Sequence, residues 1–289
     1  MRSALVWRDD WLATDDEVFE SIRRDPDPAR QGRRATELLG IYQRRTIELA
    51  RLRREATRRL QVERGMSYAA IAEAFGLSKG RIGQINQVGP TVERVLFGVG
   101  PVTVAVPLRA GQGRALPVIA SEDALASERL TTFLHELAFE VERFHIPVDG
   151  QWTPHGDTVA ICGPKSSPVT AHALEADPIL DFHEGPDRRW VIEDRTNGRI
   201  YRSPMDDEPA DQTSDTAYLG RLPLNDGAIL VIAGVHALGS VGAVDYLTHH
   251  LADLYNTVGT RPFSMVTRSR HDGERVIRSE ALCPPRVHR

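Results

Sequence analysis

The sequence predicts two folded parts: a small all-α N-terminal domain, and an α/β C-terminal domain that is Rossmann-like, with a mainly parallel sheet and a hairpin insertion. Three observations predict this. Apolar residues recur at helical spacing through a basic segment ending near Pro90. After Gly98, short apolar runs alternate with helical patterns. Two of those runs end in glycine-containing loops that open into helices.

A length of 289 residues fits one or two domains, and 41% hydrophobic with 26% charged residues is ordinary for a globular chain. No apolar run approaches the roughly 20 residues that span a bilayer. Met1–Asp10 is too poor in apolar residues and too soon acidic for a signal peptide, so a cytoplasmic protein is expected. Cys162 and Cys283 form no CxxC pair, which argues against a disulfide framework or a zinc site. Charge is uneven. Arg30 to Pro90 holds 13 Lys and Arg against 5 Asp and Glu, in a chain whose net charge is −4. A basic block beside an acidic body suggests that only the block faces a polyanion. Lys79 and Lys165 are the only lysines, and each falls in a candidate functional segment.

Along the chain, residues 1–35 read as a segment with a short helix near Asp15–Arg24, then a linker opened by Asp25-Pro-Asp-Pro. Residues 36–98 form the helical domain. Tyr42, Leu49, Leu52, Ala56 and Leu60 mark a long helix that ends at Gly65. Residues 99–289 form the α/β domain. Strands are expected at Val102–Pro107, Thr158–Cys162, Ile179–His183, Trp190–Asp194, Arg199–Ser203, Ala228–His236, Phe263–Arg268 and Arg275–Ser279. Helices are expected over Glu122–Glu142, up to Ala176, and from Gly239 through Tyr255.

Ser67–Gln87 reads as two helices around a turn, a helix-turn-helix. Ser67 and Ser78 can cap the helices, and Gly76 permits the left-handed residue between them. Ile71, Phe75, Leu77, Ile82 and Ile85 supply the packing, with Ala72 small at the crossing. Ser78, Lys79, Arg81, Gln84 and Gln87 are then left for solvent. Arg and Lys can read guanine, Gln can pair with adenine, and Ser78 can hold a phosphate. Leu77-Ser-Lys-Gly-Arg-Ile-Gly-Gln-Ile resembles the promoter-reading (region 4) helix of bacterial sigma factors and related regulators, over about Leu60–Val88. The resemblance implies double-stranded DNA as partner. No counterpart of the sigma core-polymerase-binding or −10-reading segments is found, so it points to a sigma-like regulator. A homodimer is expected from the usual pairing of half-sites.

In the α/β domain, Gly163, Lys165, Ser166 and Ser167 follow one strand; His236, Gly239 and Ser240 follow another. Glycine lets a ligand approach the backbone, and a helix N-terminus favours a phosphate. Neither loop is a Walker A or a GxGxxG motif, and tight strand-to-helix packing also wants glycine. The GPK and AGxHxxGS patterns resemble only uncharacterised actinobacterial proteins, which implies no function. Asp194, Asp206, Asp215, Trp190 and Tyr218 are further polar or stacking candidates, and His249-His250 with Asp253 lacks a third metal ligand. The expected function is a DNA-binding regulator that senses a phosphorylated or nucleotide-like effector, with no catalytic residue, cofactor or metal. Two readings stay open beside it: a nucleotide-processing hydrolase or transferase using His236, Lys165 and Asp194, and a ligand-free interaction scaffold.

Overall fold

A computed structural model describes residues 10–111, 113, 115–224 and 227–288. The reading of Met1–Asp10 as no signal peptide falls, but for Asp10, outside the described residues. The chain divides into two compact units, Met1–Ala50 and Arg51–Arg289.

In the first unit, α1 (Asp10–Arg23) is followed by α2 (Pro28–Arg64), whose later residues belong to the second unit. The expected linker therefore shrinks to a four-residue turn, and the long helix starts eight residues before Thr36. Local chemistry explains the correction. Pro28 takes the first helical position, where its missing N–H costs nothing, and Asp27 accepts from the Ala29 N–H at 2.9 Å. Asp25 accepts from Arg30 at 2.8 Å, and those contacts hold its carboxyl well below the usual range. Phe19 stacks on Tyr42 with ring centroids 5.8 Å apart.

In the second unit, Gly65 (φ +62°) ends α2 as expected. Then come α3 (Tyr68–Phe75) and α4 (Lys79–Val88). Ser67 accepts from the Ala70 N–H and Ser78 from the Arg81 N–H, so both predicted caps form. Gly76 is left-handed (φ +65°), and its geometry turns the chain between the helices. Ile71, Ala72, Ile82 and Ile85 are buried, with Leu60 of α2 packed on them. Asn86 donates to Tyr68 Oη at 2.7 Å and to Gln61 Oε1 at 3.2 Å, which pins α4 to α3 and α2.

The remaining elements build an α/β layer. Its main sheet has seven strands: β1 (Val102–Pro107), β2 (Val141–Ile146), β3 (Asp157–Ile161), β7 (Ser214–Leu224), β8 (Gly227–Gly234), β9 (Phe263–Asp272) and β10 (Arg275–Val287). Their order is β10-β9-β7-β8-β3-β1-β2. Only β2, β1, β3 and β8 are mutually parallel; β7, β9 and β10 pair antiparallel. The sheet is thus mixed, where a mainly parallel one was expected. The main reason is β7: its Asp215, Thr216 and Tyr218 look like loop or site residues, yet all are buried and hydrogen-bonded. The helix expected over Glu122–Glu142 also divides, into α5 (Ser121–Glu136) and edge strand β2, with Ala138 at φ +60° between them.

Helices α5 and α7 (Ala237–Val258) pack on one face of the sheet, against Val104, Val159 and Leu230. On the other face, α6 (Pro168–Leu174) packs with the opposite-facing Ala160 and Val231. The expected hairpin insertion is there too, as an antiparallel three-stranded sheet of β4 (Leu180–Glu184), β5 (Trp190–Asp194) and β6 (Arg199–Tyr201). Among the described residues no helix is long and apolar enough to cross a membrane.

Ile82 is fully buried between α3 and α4, while Gln87 is exposed. Truncating a buried Ile typically costs ~2–5 kcal/mol. Ile82→Ala is therefore expected to lower the stability of this helix pair by that order, and Gln87→Ala to leave it unchanged, as read by urea unfolding.

Candidate functional site

Helix α4 shows two faces. Ile82 and Ile85 point into the core, and Ser78, Lys79, Arg81, Gln84 and Gln87 are all exposed. The 3.6-residue period puts Ile82 and Ile85 on one side of the helix and Gln84 and Gln87 across from them, so packing decides which side chains remain outside. Arg81 donates to Gln84 Oε1 at 3.0 Å, and Ser78 serves as the cap. Arg53 of α2 joins Arg81, Gln84 and Val88 around a groove of about 350 Å³. The Arg53 Nε is buried without a hydrogen-bond partner among the described residues.

The second site lies at the carboxyl ends of the parallel strands. α5, which follows β1, covers one face of the sheet; α6, which follows β3, covers the other. Where successive connections diverge to opposite faces, a crevice opens. A cleft of about 180 Å³ is found there. The loops after β3 and β8 both reach it, so Gly163, Lys165, Ser166, His236 and Ser240 are brought together as lining residues. Ser167 and Gly239 are not among them. Ser167 is fully buried and accepts from the Thr170 N–H at 3.1 Å. Gly239 is a packing glycine: a Cβ there would stand 2.6 Å from the Thr216 carbonyl oxygen.

The loop N–H groups are largely spent inside the protein. Ser166 N and Ser167 N donate to the Gly163 carbonyl. At the start of α7 a buried carboxylate takes the place of a ligand. Asp215 accepts from Gly239 N at 2.6 Å, Thr216 N at 2.7 Å, His236 N at 3.2 Å and the Ser203 hydroxyl at 2.7 Å. Burial lifts its pKa above the ordinary value against the pull of those donors. Ser240 is buried and accepts from Gly234 N at 3.0 Å, closing the loop on itself.

Three cleft residues escaped the sequence reading: Arg109, Asp123 and Cys162. Arg109 Nη2 lies 2.6 Å from Asp123 Oδ2 and 3.3 Å from Cys162 Sγ. Burial raises the Asp123 pKa, only partly offset by Arg109. Burial, then the Asp123 charge, pushes the Cys162 thiol from 9.0 up to about 12. Cys162 also sits at φ +106°, a rare backbone region for a residue with a Cβ. Positions 109, 123 and 162 are brought together only by the sheet, and no spacing announces them. The one local signal is the Arg109-Ala-Gly-Gln-Gly run, a third glycine-bearing segment after a strand.

His236 is half exposed, with Nε2 3.1 Å from Asp206 Oδ1. Asp194 does not join it. It is buried in the turn after β5, where Thr196, Asn197 and Arg286 hold it. Tyr218 is a fully buried residue donating to Asp177 at 2.8 Å, and Trp190 packs edge-on against Phe182. His250 stacks on Tyr246. No group of three or more metal-ligating side chains occurs among the described residues. No family model, curated protein or solved structure matches the chain.

The Cys162 thiol carries a pH signature. Its folded pKa is raised from 9.0 to about 12, so its contribution to stability is complete below pH 9.0 and is lost as pH rises toward 12. Over that window Cys162→Ala is expected to lose less stability than the unaltered chain, measured by urea midpoints. Equal alkaline losses in the two proteins would remove the thiol as the cause.

Proposed function

We propose that this chain is a DNA-binding transcriptional regulator, built on a helix-turn-helix, whose Rossmann-like part binds a phosphorylated or nucleotide-like small molecule. The observation that carries the first half is the division of α4: two isoleucines inward, and Ser78, Lys79, Arg81, Gln84 and Gln87 outward together. These side chains suit base edges and phosphates in a major groove, and they lie in the basic part of an acidic protein. A homodimer would present two such helices to paired half-sites.

The cleft at the strand ends supports the second half, because open α/β sheets take ligands at such crevices. Helix α7 supports a link between the two sites. Its first residues line the cleft. Near its far end, Tyr255 donates to Glu55 of α2 at 3.0 Å, and Arg58 of α2 donates to Asn256 at 3.3 Å. The same α2 packs against α3 and α4 through Leu60. A shift of α7 would therefore be felt at the base of the helix-turn-helix.

The His236–Asp206 pair beside Lys165 favours a second reading, a nucleotide-processing enzyme with a DNA-binding extension. The protonated Cys162 thiol counts against covalent catalysis from this cleft. Product formation from a nucleotide panel, read by mass spectrometry, would raise this second reading above the first.

Binding to a random-sequence duplex pool, followed by selection and fluorescence anisotropy, tests the main proposal. A good bidentate base contact is worth ~1–3 kcal/mol. Arg81→Ala is accordingly expected to weaken the selected duplex about tenfold or more, and Lys79→Ala to weaken all duplexes and flatten the salt dependence. Arg188→Ala, at an exposed position in the turn between β4 and β5, is expected to change nothing. Unaltered affinity in a Lys79, Arg81, Gln84 triple alanine variant would defeat the DNA reading.

A further inference from the structure

We infer that the cleft is a small-oxyanion site, for inorganic phosphate or the head of a phosphomonoester, held by the side chains of Arg109 and Lys165 from opposite sides of the β1–β3 divergence. The inference rests on the reading of this cleft as the effector site, and narrows its chemistry.

The loop backbone is the first constraint. In many phosphate sites glycine-loop N–H groups do the holding. Here the Ser166 and Ser167 N–H groups go to Gly163, and those of His236 and Gly239 go to Asp215. The α7 N-terminus already has its anion in Asp215, so a ligand must be held by side chains.

Those side chains have the right sign. Arg109 and Lys165 line the cleft as cations on two different loops, with His236 at its rim. Among the described residues Asp123 is the one carboxylate lining it, and Asp123 is already paired with Arg109 through Nη2. Arg109 Nε makes no hydrogen bond among the described residues, and the side chain is 37% exposed, so the guanidinium keeps donor capacity beyond its contact with Asp123. Lys165 is exposed and makes no ion pair among the described residues. One oxyanion held between the remaining guanidinium donors of Arg109 and the Lys165 ammonium would neutralise Lys165 while leaving the Asp123 pair in place. Charge-assisted contacts of this kind are the strong ones.

Size limits the ligand. The cleft, at about 180 Å³, falls below the ~300–1,000 Å³ typical of sites that bury a drug-sized molecule. It accommodates a phosphoryl group and a few atoms more, with no enclosed place for a base. Selection therefore acts on the phosphate, and adenosine is excluded as a ligand in its own right.

Isothermal titration of the full chain tests this, using inorganic phosphate, glycerol 3-phosphate, AMP and adenosine at matched ionic strength. Phosphate, glycerol 3-phosphate and AMP are expected to bind with similar affinity, and adenosine not at all. Lys165→Ala changes an exposed residue and is expected to weaken phosphate about tenfold or more. Arg109→Lys, which keeps the charge near Asp123 but loses the fork, is expected to do the same with an unchanged urea midpoint. Failure of all three anions to bind at millimolar concentration, binding indifferent to Lys165→Ala, or binding of adenosine alone would each overturn the inference. The same preparation is assayed for duplex binding. Duplex binding without phosphate binding removes the oxyanion site and leaves the DNA reading standing. Lys165-dependent phosphate binding without duplex binding does the reverse.

Discussion

One buried carboxylate organises the cleft and the helix behind it. Asp215, on β7, gathers donors from three places: the Ser203 hydroxyl, its own strand at Thr216, and the loop between β8 and α7 at His236 and Gly239. Ser203, Thr216 and Gly239 are buried, and a buried donor left without its hydrogen bond costs about 1–3 kcal/mol. Together they anchor the loop that begins α7 and set the cleft wall at His236. The same contacts give the N-terminus of α7 the negative charge it favours, supplied from within the chain. A ligand bound as proposed would meet a loop already filled, and would be held by the cations around it.

From that anchor α7 runs 22 residues across the sheet, over the apolar core it shares with α5. Its end is joined to α2 through Tyr255 and Glu55, and Glu55 in turn pairs with the buried Arg51 at 2.8 Å. His250 interrupts the helix with non-helical geometry (φ −119°, ψ 16°). A helix with one end at the cleft, a bend partway along and its other end on the support of an exposed basic helix would carry the proposed regulation.

What was legible in the sequence was local. The caps at Ser67 and Ser78, Gly76, and the apolar offsets of Ile71, Ile82 and Ile85 act within a turn or two of one another, so the α3–α4 pair and its exposed face could be read directly. Val102–Pro107 and Trp190–Asp194 were equally plain, as continuous or alternating apolar runs. The cleft's two glycine loops were found for the same reason. What escaped depends on distant partners. β7 hides its strand character because Asp215 and Tyr218 are satisfied by Ser203 and Asp177, twelve and 41 residues away. β2 is a half-exposed edge strand directly after α5, and its residues continue a helical pattern. The Arg109–Asp123–Cys162 cluster exists only once β1 and β3 lie side by side. Ser167 and Gly239 have the residue types of a ligand loop, but caps and close packing ask for the same types.

Hydrogen–deuterium exchange of the full chain, with and without a selected duplex, tests the central claim most directly. Slowed exchange is expected across Ser78–Val88, with a smaller change along α7 between its cleft end and Tyr255. Duplex binding that leaves Ser78–Val88 unchanged and protects another surface would contradict it.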